Sequence, residues 1–214
     1  MRRVRRHARE PQRPQPGADA GQGDLVLIAF RPARPDDAAA IAAIYAPYVM
    51  TGTVSFETEA PDAATMAERM AASDGLYPWL VATNGEAEGD SVLAYAYATK
   101  FRERPAYRYV VETSVYVVGP AQGQGMGRTL YRALIDTLRA QGFVQAVSVI
   151  SLPNDYSITL HEATGFRRAG VLREMGFKQG RWIDVGFWQC ELNDASIPPA
   201  EPKKFSEVGL VQRG

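Results

Sequence analysis

The sequence has few of the residues that would mark a specialised class of protein. A single cysteine, Cys190, excludes a disulfide within the chain, which is typical of proteins from a reducing, cytoplasmic compartment. No run approaches the roughly 18 apolar residues that a membrane-spanning helix needs. The formal net charge is zero, so nothing points to nucleic acid or an anionic membrane as a partner. We also expect no metal ion.

The remaining composition is ordinary for a globular protein. The chain has 214 residues, of which 46% are hydrophobic and 22% are charged, and this suits one domain with tails. Residues 1–24 contain six arginines against three acidic residues, with many Pro, Gln and Gly, and this composition predicts a disordered tail. An arginine-rich arm can also bind nucleic acid or direct a protein to an organelle. The prolines of residues 194–214 predict a second, loose tail, which leaves residues 25–193 as the folded domain.

Hydrophobic periodicity predicts an α/β domain of the α+β kind with a mixed sheet. The pattern reads as a strand, two helices, three strands, a helix, a strand, a short helix and two final strands. Residues 108–118 are apolar on both faces, which favours a central strand. Gly142 is expected to end the helix that spans residues 127–140.

The most informative segment connects this central strand to that helix. Gly123, Gly125 and Gly127 alternate there, and such a turn can direct backbone N–H groups and the positive end of a helix toward a phosphate. A P-loop is excluded because no lysine follows these glycines. A dinucleotide fold is a poor fit, because residues 137–154 contain no acidic residue to bind a ribose. The pattern Gln-x-x-Gly-x-Gly, beginning at Gln122, remains, and a tight turn that binds nothing is the alternative.

This pattern resembles the pyrophosphate-binding loop of the GCN5-related N-acetyltransferases (GNAT). The segments "TGTVSFETE", "YPWLVA", "VETSVYV", "PNDYSITLHEATGF" and "GFKQGRWIDVGFWQ" resemble the branch that acetylates phosphinothricin, methionine sulfoximine and methionine sulfone. The resemblance covers residues 28–192. It implies a mostly antiparallel sheet in which one parallel strand pair splays apart, flanked by helices. It also implies acetyl-CoA as co-substrate and a homodimer.

The resemblance assigns the acetyl-CoA site to three segments. Backbone N–H groups of the glycine turn would hold the pyrophosphate. The main chain of the splayed strand would pair with the pantetheine arm. Asn154, assisted by Ser157, would hydrogen-bond the same arm, although both residues can equally cap a helix. The predicted residues are Val115, Tyr116, Val117, Gln122, Gly123, Gln124, Gly125, Met126, Gly127, Arg128, Asn154 and Ser157.

Glu112 and His161 are the candidate catalytic residues. Glu112 lies within an apolar run, where burial would raise its pKa and suit it to take a proton from the amine. A solvent-facing carboxylate, or one paired with an arginine, is the alternative. His161 stands seven residues after Asn154, where the resemblance implies a group that protonates the leaving thiolate or helps to deprotonate the amine. The sequence does not separate these two roles.

The segment "KFRERPAY", residues 100–107, predicts the site of the acceptor amine. Arg102 and Arg104 can bind a carboxylate or phosphinate oxygen, and Tyr107 can donate its hydroxyl. Phe56 would form a wall beside the apolar stem of the acceptor. A solvated basic loop is the alternative. The segment is two residues longer than in the herbicide-resistance enzymes that it resembles, which leaves the identity of the acceptor open.

The sequence therefore predicts a cytoplasmic, acetyl-CoA-dependent N-acetyltransferase that acts on a small amino acid with an anionic or strongly polar side chain. Direct attack by the amine is expected, because Cys190 has no neighbouring histidine that could activate it as a nucleophile. Two other functions stay open: an acyl-CoA sensor without turnover, and an enzyme that acetylates a peptide N-terminus or another amine. Glu112 and His161 argue against the sensor.

Overall fold

The computed structural model describes residues 28–85 and 90–212, so the predicted N-terminal tail lies outside the described residues. The elements follow the predicted order, with one additional helix near the C-terminus. The strands are β1 (Ala29–Pro32), β2 (Trp79–Thr83), β3 (Val92–Lys100), β4 (Val110–Val117), β5 (Gln145–Leu152), β6 (Arg167–Lys178) and β7 (Arg181–Glu191), and the helices are α1 (Ala38–Met50), α2 (Ala63–Ala71), α3 (Met126–Gln141), α4 (Asp155–Glu162) and α5 (Phe205–Val208).

Over these residues the strands form one sheet of seven, in the order β1-β2-β3-β4-β5-β7-β6. All neighbouring pairs are antiparallel except β4 and β5, which are parallel. The parallel pairing is short, because it joins only Val110–Glu112 to Gln145–Val147. Beyond Glu112 the two strands diverge while β4 stays paired with β3. The predicted fold, with its splayed parallel pair, is confirmed.

A group of buried hydroxyls lies where β4 and β5 part. The Tyr131 hydroxyl of α3 lies 2.7 Å from Thr113 Oγ1 and 2.7 Å from Ser148 Oγ. Ser148 Oγ also donates to the backbone carbonyl of Thr113 at 3.0 Å. Since the parallel pairing ends at the preceding residue, these side chains satisfy backbone and hydroxyl groups that would otherwise be buried without partners. They fix the position of the splay.

Helices cover both faces of the sheet. Leu130, Leu134 and Leu138 of α3 are fully buried on one face, as their helical spacing requires. Helices α1 and α2 cover the other face. Side chains alternate along a strand, and Thr113 contacts α3. The side chain of the preceding residue, Glu112, therefore points to the face covered by α1 and α2.

The prediction of a loose tail over residues 194–214 is wrong from residue 201 to residue 212, where the chain contacts the domain. The Phe205 N–H donates to the C=O of Gly75 at 2.8 Å, and Gln141 Nε2 donates to the C=O of Lys203 at 2.8 Å. The ring of Phe205 packs against the main core. The prolines of this segment signal irregular backbone, which sequence pattern alone does not distinguish from a backbone without tertiary contacts.

Replacing Phe205 by alanine should lower the free energy of unfolding by about 1–2 kcal/mol, because a half-buried aromatic ring leaves the core. Ile197→Ala is the matched control, since Ile197 lies in the same segment and is 98% exposed. Urea denaturation measures both variants. Equal stability of the two would contradict the docking of this segment.

Candidate active site

The splay opens one edge of β4. The Val118 N–H donates to the C=O of Leu93 in β3 at 2.9 Å. Peptide groups alternate in direction along a strand, so those of Val117 and Val115 point away from β3, toward the gap. The main chain of Tyr116 points to β3 and takes part in that ladder. The prediction that all three residues offer a free main chain is therefore wrong for Tyr116, and the main-chain groups of Val117 are hydrogen-bonded to the Tyr48 hydroxyl, which leaves those of Val115 free among the three.

At one position a tyrosine already contacts this open edge. The Tyr48 hydroxyl of α1 donates to the C=O of Val117 at 2.5 Å and accepts from the Val117 N–H at 3.3 Å. Gln122 Nε2 donates to the same hydroxyl at 2.9 Å. Within residues 28–85 and 90–212, no side chain makes a corresponding hydrogen bond to Val115. The contact depends on the packing of α1 beside β4, and no sequence pattern indicated it.

The three glycines of the turn have two different roles. Gly123 and Gly125 have φ angles of 78° and 82°, a left-handed conformation that glycine adopts without strain. Gly127 has an ordinary backbone, but a Cβ there would lie 2.9 Å from Val117 Cγ2. The first two glycines therefore shape the turn, while the third lets α3 begin close against β4. The side chain of Gln124 folds back onto the backbone of the turn.

The start of α3 presents unpaired backbone donors. The first helical hydrogen bond runs from the Thr129 N–H to the C=O of Gly125 at 3.1 Å. The N–H groups of Met126, Gly127 and Arg128 therefore have no acceptor within the helix. Together with the positive end of the helix dipole, they form a cradle whose chemistry fits a diphosphate.

Glu112 is half-buried and is the last residue of β4 that pairs with β5. Burial raises the pKa of its carboxyl above the ordinary value, and the charge of Arg102 partly opposes this shift. Within the described part of the chain, no hydrogen bond or ion pair engages the carboxylate. An unpaired carboxyl with a raised pKa can accept a proton near neutral pH.

His161 is buried, with 5% of its surface exposed. Its Nδ1 lies 2.7 Å from the C=O of Ser157, so Nδ1 carries the proton and Nε2 is an acceptor. Burial lowers the pKa of the imidazole to about 4, against the opposing effect of the Ser157 carbonyl. Protonating the ring at pH 7 would cost about 4 kcal/mol. The arrangement favours a neutral ring that accepts at Nε2 over one that protonates a thiolate.

The neutral state of His161 should make folding stability depend on pH. The pKa is about 4 in the folded chain and about 6.5 in an unfolded one, so the unfolded chain binds the proton first as the pH falls. The contribution of the neutral ring to the free energy of unfolding is complete above pH 6.5, and it declines by up to about 3 kcal/mol as the pH falls toward 4. Urea denaturation at pH 7 and pH 4.5 should show a smaller decline for His161→Gln than for the unchanged chain. An equal decline would contradict the buried neutral ring.

Asn154 and Ser157 act together at the start of α4. Asn154 Oδ1 accepts from the Ser157 N–H at 3.1 Å, which is the helix-cap role. Ser157 Oγ lies 3.3 Å from His161 Nδ1. The cap and the adjoining carbonyl thus orient the imidazole. A contact of either residue with a pantetheine arm stays a prediction.

The polar residues predicted for the acceptor do not converge. Arg102 acts electrostatically on Glu112, and its guanidinium lies 4.4 Å from the centre of the Phe101 ring. Arg104 and Tyr107 are exposed, and within the described residues neither side chain engages a polar group of the site. The structure thus places Arg102 within electrostatic range of the candidate base and leaves Arg104 and Tyr107 on the surface.

Phe56 belongs to the α1–α2 loop and packs against β6. Its ring packs on the backbone of Gly176, where an added Cβ would lie 2.3 Å from a ring carbon. Lys178 Nζ donates to the C=O groups of Val49 at 2.6 Å and Ser55 at 2.7 Å. These contacts fix the loop against the hairpin, so Phe56, 40% exposed, presents an apolar wall of fixed position.

Among residues 28–85 and 90–212, no group of His, Cys, Asp and Glu side chains is arranged to hold a metal ion. None of the helices in the same ranges is long and apolar enough to cross a membrane. The absence of a metal from the reaction stays a prediction.

Known proteins match this chain in sequence and in fold. The model of the acetyltransferase (GNAT) domain matches residues 30–186. A phosphinothricin N-acetyltransferase from Streptomyces viridochromogenes is 41% identical over 85% of this chain and 96% of its own length. An L-methionine sulfoximine/L-methionine sulfone acetyltransferase from Pseudomonas paraeruginosa is 40% identical over 58% of this chain and 70% of its own length.

A solved structure extends the match to the fold. The GNAT phosphinothricin acetyltransferase from Sinorhizobium meliloti, crystallised in complex with acetyl-CoA, aligns with a TM-score of 0.75 at 37% identity, over 82% of this chain and 93% of that one. The resemblance predicted from the sequence is confirmed. With its splayed strand pair, glycine turn and matching domain model, the chain belongs to the GNAT acetyltransferase family.

Proposed function

We propose that this acetyltransferase transfers an acetyl group from acetyl-CoA to the amino group of a small amino acid of the phosphinothricin or methionine sulfoximine type. One observation carries the proposal. Glu112, unpaired and half-buried, is the residue at which β4 and β5 part. A proton acceptor therefore stands at the mouth of the gap whose open edge offers main-chain groups to a ligand.

The residues around the gap fit acetyl-CoA, which supplies an acetyl group activated as a thioester. The N–H groups at the start of α3 would hold the diphosphate, since anions bind at helix N-termini. The main chain of Val115 would pair with the pantetheine arm, because its N–H and C=O point into the gap. The backbone conformation of Gly123 and Gly125 shapes the turn between these two contacts.

Glu112 takes the proton of the incoming ammonium group, directly or through a water molecule. A raised pKa suits this task, because the best proton acceptors have a pKa near the working pH. His161 lies on the other face of the sheet. It packs edge-on against Tyr131, with ring centres 5.0 Å apart, and the Tyr131 hydroxyl is hydrogen-bonded to Thr113. At Nε2, the neutral ring of His161 would accept a hydrogen bond and so orient the group that donates it.

Arg102 and Phe56 support an amino acid as acceptor. A guanidinium that influences Glu112 can hold the carboxylate of a substrate whose amino group faces that base. The fixed ring of Phe56 would contact the apolar stem of the substrate. Arg104 and Tyr107 would join only if their exposed loop closes over the bound acceptor.

A panel of acceptors tests the proposal. Release of free CoA from acetyl-CoA is measured with methionine sulfone, phosphinothricin, glycine and a short peptide with a free N-terminus. We expect kcat/KM to be highest for one of the first two. Preference for the peptide would overturn the substrate class. Binding of CoA without turnover of any amine would favour the sensor.

We also propose a homodimer. Phe177 of β6 and Trp182 of β7 are 62% and 61% exposed and contact each other, with ring centres 5.4 Å apart. Aromatic side chains are enriched in protein–protein interfaces relative to the rest of the surface, so this exposed pair is a candidate contact between two copies. Light scattering of the purified protein should give twice the mass of the chain.

A cytoplasmic location and resistance to a herbicide stay predictions.

A further inference from the structure

The Tyr48 hydroxyl joins three elements of the co-substrate site. It belongs to α1, it bonds both main-chain groups of Val117 at the end of β4, and it accepts from Gln122, the first residue of the glycine turn. A phenol hydroxyl offers one donor and two acceptor positions, so all three are in use. The ring is held edge-on against Tyr116, with centres 5.1 Å apart.

Val117 is also the residue against which α3 begins. A Cβ added at Gly127 would lie 2.9 Å from Val117 Cγ2. The turn therefore contacts Val117 at both ends. Gln122 Nε2 reaches it through the Tyr48 hydroxyl at 2.9 Å and by a longer, direct hydrogen bond of 3.4 Å to the Val117 C=O, and Gly127 packs against it directly. The distance that the turn spans, and so the direction of its free N–H groups, depends on where Val117 and the hydroxyl lie.

We propose that Tyr48 is a positioning residue of the acetyl-CoA site, which holds the glycine turn in the conformation that receives the diphosphate. This inference rests on the proposed function but concerns a residue outside the glycine turn and the catalytic pair. Burial raises the pKa of the Tyr48 hydroxyl, so it stays protonated and keeps its donor at physiological pH. Tyr48 acts through Val117 and Gln122 and does not take part in the chemistry.

A competing role would have the opposite effect. If Tyr48 instead blocked Val117 from pairing with the pantetheine arm, its removal would strengthen the binding of every acyl donor. The two roles separate with a donor that lacks the diphosphate. S-acetylpantetheine presents the arm and the thioester but nothing for the glycine turn to hold.

The test compares kcat/KM for acetyl-CoA and for S-acetylpantetheine in Tyr48→Phe. We expect a loss of about tenfold with acetyl-CoA, as removal of one hydrogen-bonding group predicts, and a change within about twofold with S-acetylpantetheine. Equal losses with both donors would show a general structural role and overturn the inference. A gain with either donor would show obstruction and overturn it as well.

Tyr45→Phe is the matched control. Tyr45 lies one turn earlier on α1, and its hydroxyl bonds Ser55 at 2.6 Å and Glu57 at 3.0 Å, away from the glycine turn. In Tyr45→Phe, the ratio of kcat/KM with acetyl-CoA to kcat/KM with S-acetylpantetheine should equal the ratio in the unchanged chain. Calorimetry with CoA and pantetheine repeats the comparison without turnover. If no amine is acetylated, the proposed function fails while the binding comparison still decides the role of Tyr48.

Discussion

Replacing Glu112 by glutamine should lower kcat by about two to three orders of magnitude, the usual contribution of a general base. Glutamine keeps the size and polarity of the side chain but cannot take a proton. Affinity for CoA should change by no more than about twofold, because the diphosphate cradle lies on other residues. Steady-state kinetics and calorimetry measure the two quantities separately.

The pH profile adds a second test of the same residue. In the unchanged chain, kcat/KM should rise with pH through the raised pKa of Glu112 and level off once the carboxylate is ionised. Glu112→Gln should lack this rise. Glu103→Gln is the control, because the Glu103 side chain is 91% exposed on the loop that carries Arg102. Equal losses in the two variants would show a general effect of charge and contradict the base assignment.

Replacing Gly127 by valine should weaken CoA binding by about a hundredfold, the effect of losing a few charge-assisted hydrogen bonds. A Cβ at this position meets Val117 Cγ2 at 2.9 Å and Leu160 Cδ1 at 3.7 Å. Overpacking of this kind also costs about 1–3 kcal/mol of stability. To relieve the clash, the start of α3 must move away from β4, which displaces its free N–H groups. Calorimetry measures the affinity, and thermal melting confirms that the variant is folded.

Gly119→Ala is the control for this substitution. Gly119 lies in the same connection between β4 and α3, but a Cβ there meets nothing within 4 Å. Its affinity for CoA should match that of the unchanged chain. If Gly127→Val binds CoA normally, the close approach of α3 to β4 does not set the cradle.

Local patterns in the sequence were enough to predict every strand and every helix except α5. Asp62 accepts from the Thr65 N–H at 2.8 Å and starts α2 as expected of a cap. Gly142 ends α3 in a left-handed conformation, with φ at 94°. These features depend on neighbours within a few residues, which the sequence displays directly. The docking of Phe205 depends on Gly75, distant in sequence, and no local pattern reveals it.

The site was predictable in its parts but not in its contacts. The position of Glu112 in an apolar strand indicated a raised pKa, and the structure places the carboxyl at the splay without a partner. The direction of the Tyr116 main chain depends on the pairing register of β4, which the sequence does not fix. The link from Tyr48 to Gln122 requires the packing of α1 beside β4. The sequence patterns therefore did not reveal the side chains that act through tertiary contacts.

Hydrogen exchange with and without CoA tests the central claim most directly, because it reports which backbone N–H groups the ligand covers. Exchange at residues 123–128 and at Val115 should slow in the presence of saturating CoA, while exchange at the exposed loop around Arg104 should stay unchanged. Unaltered exchange at residues 123–128, with protection elsewhere in the protein, would contradict the assignment of the diphosphate to the start of α3.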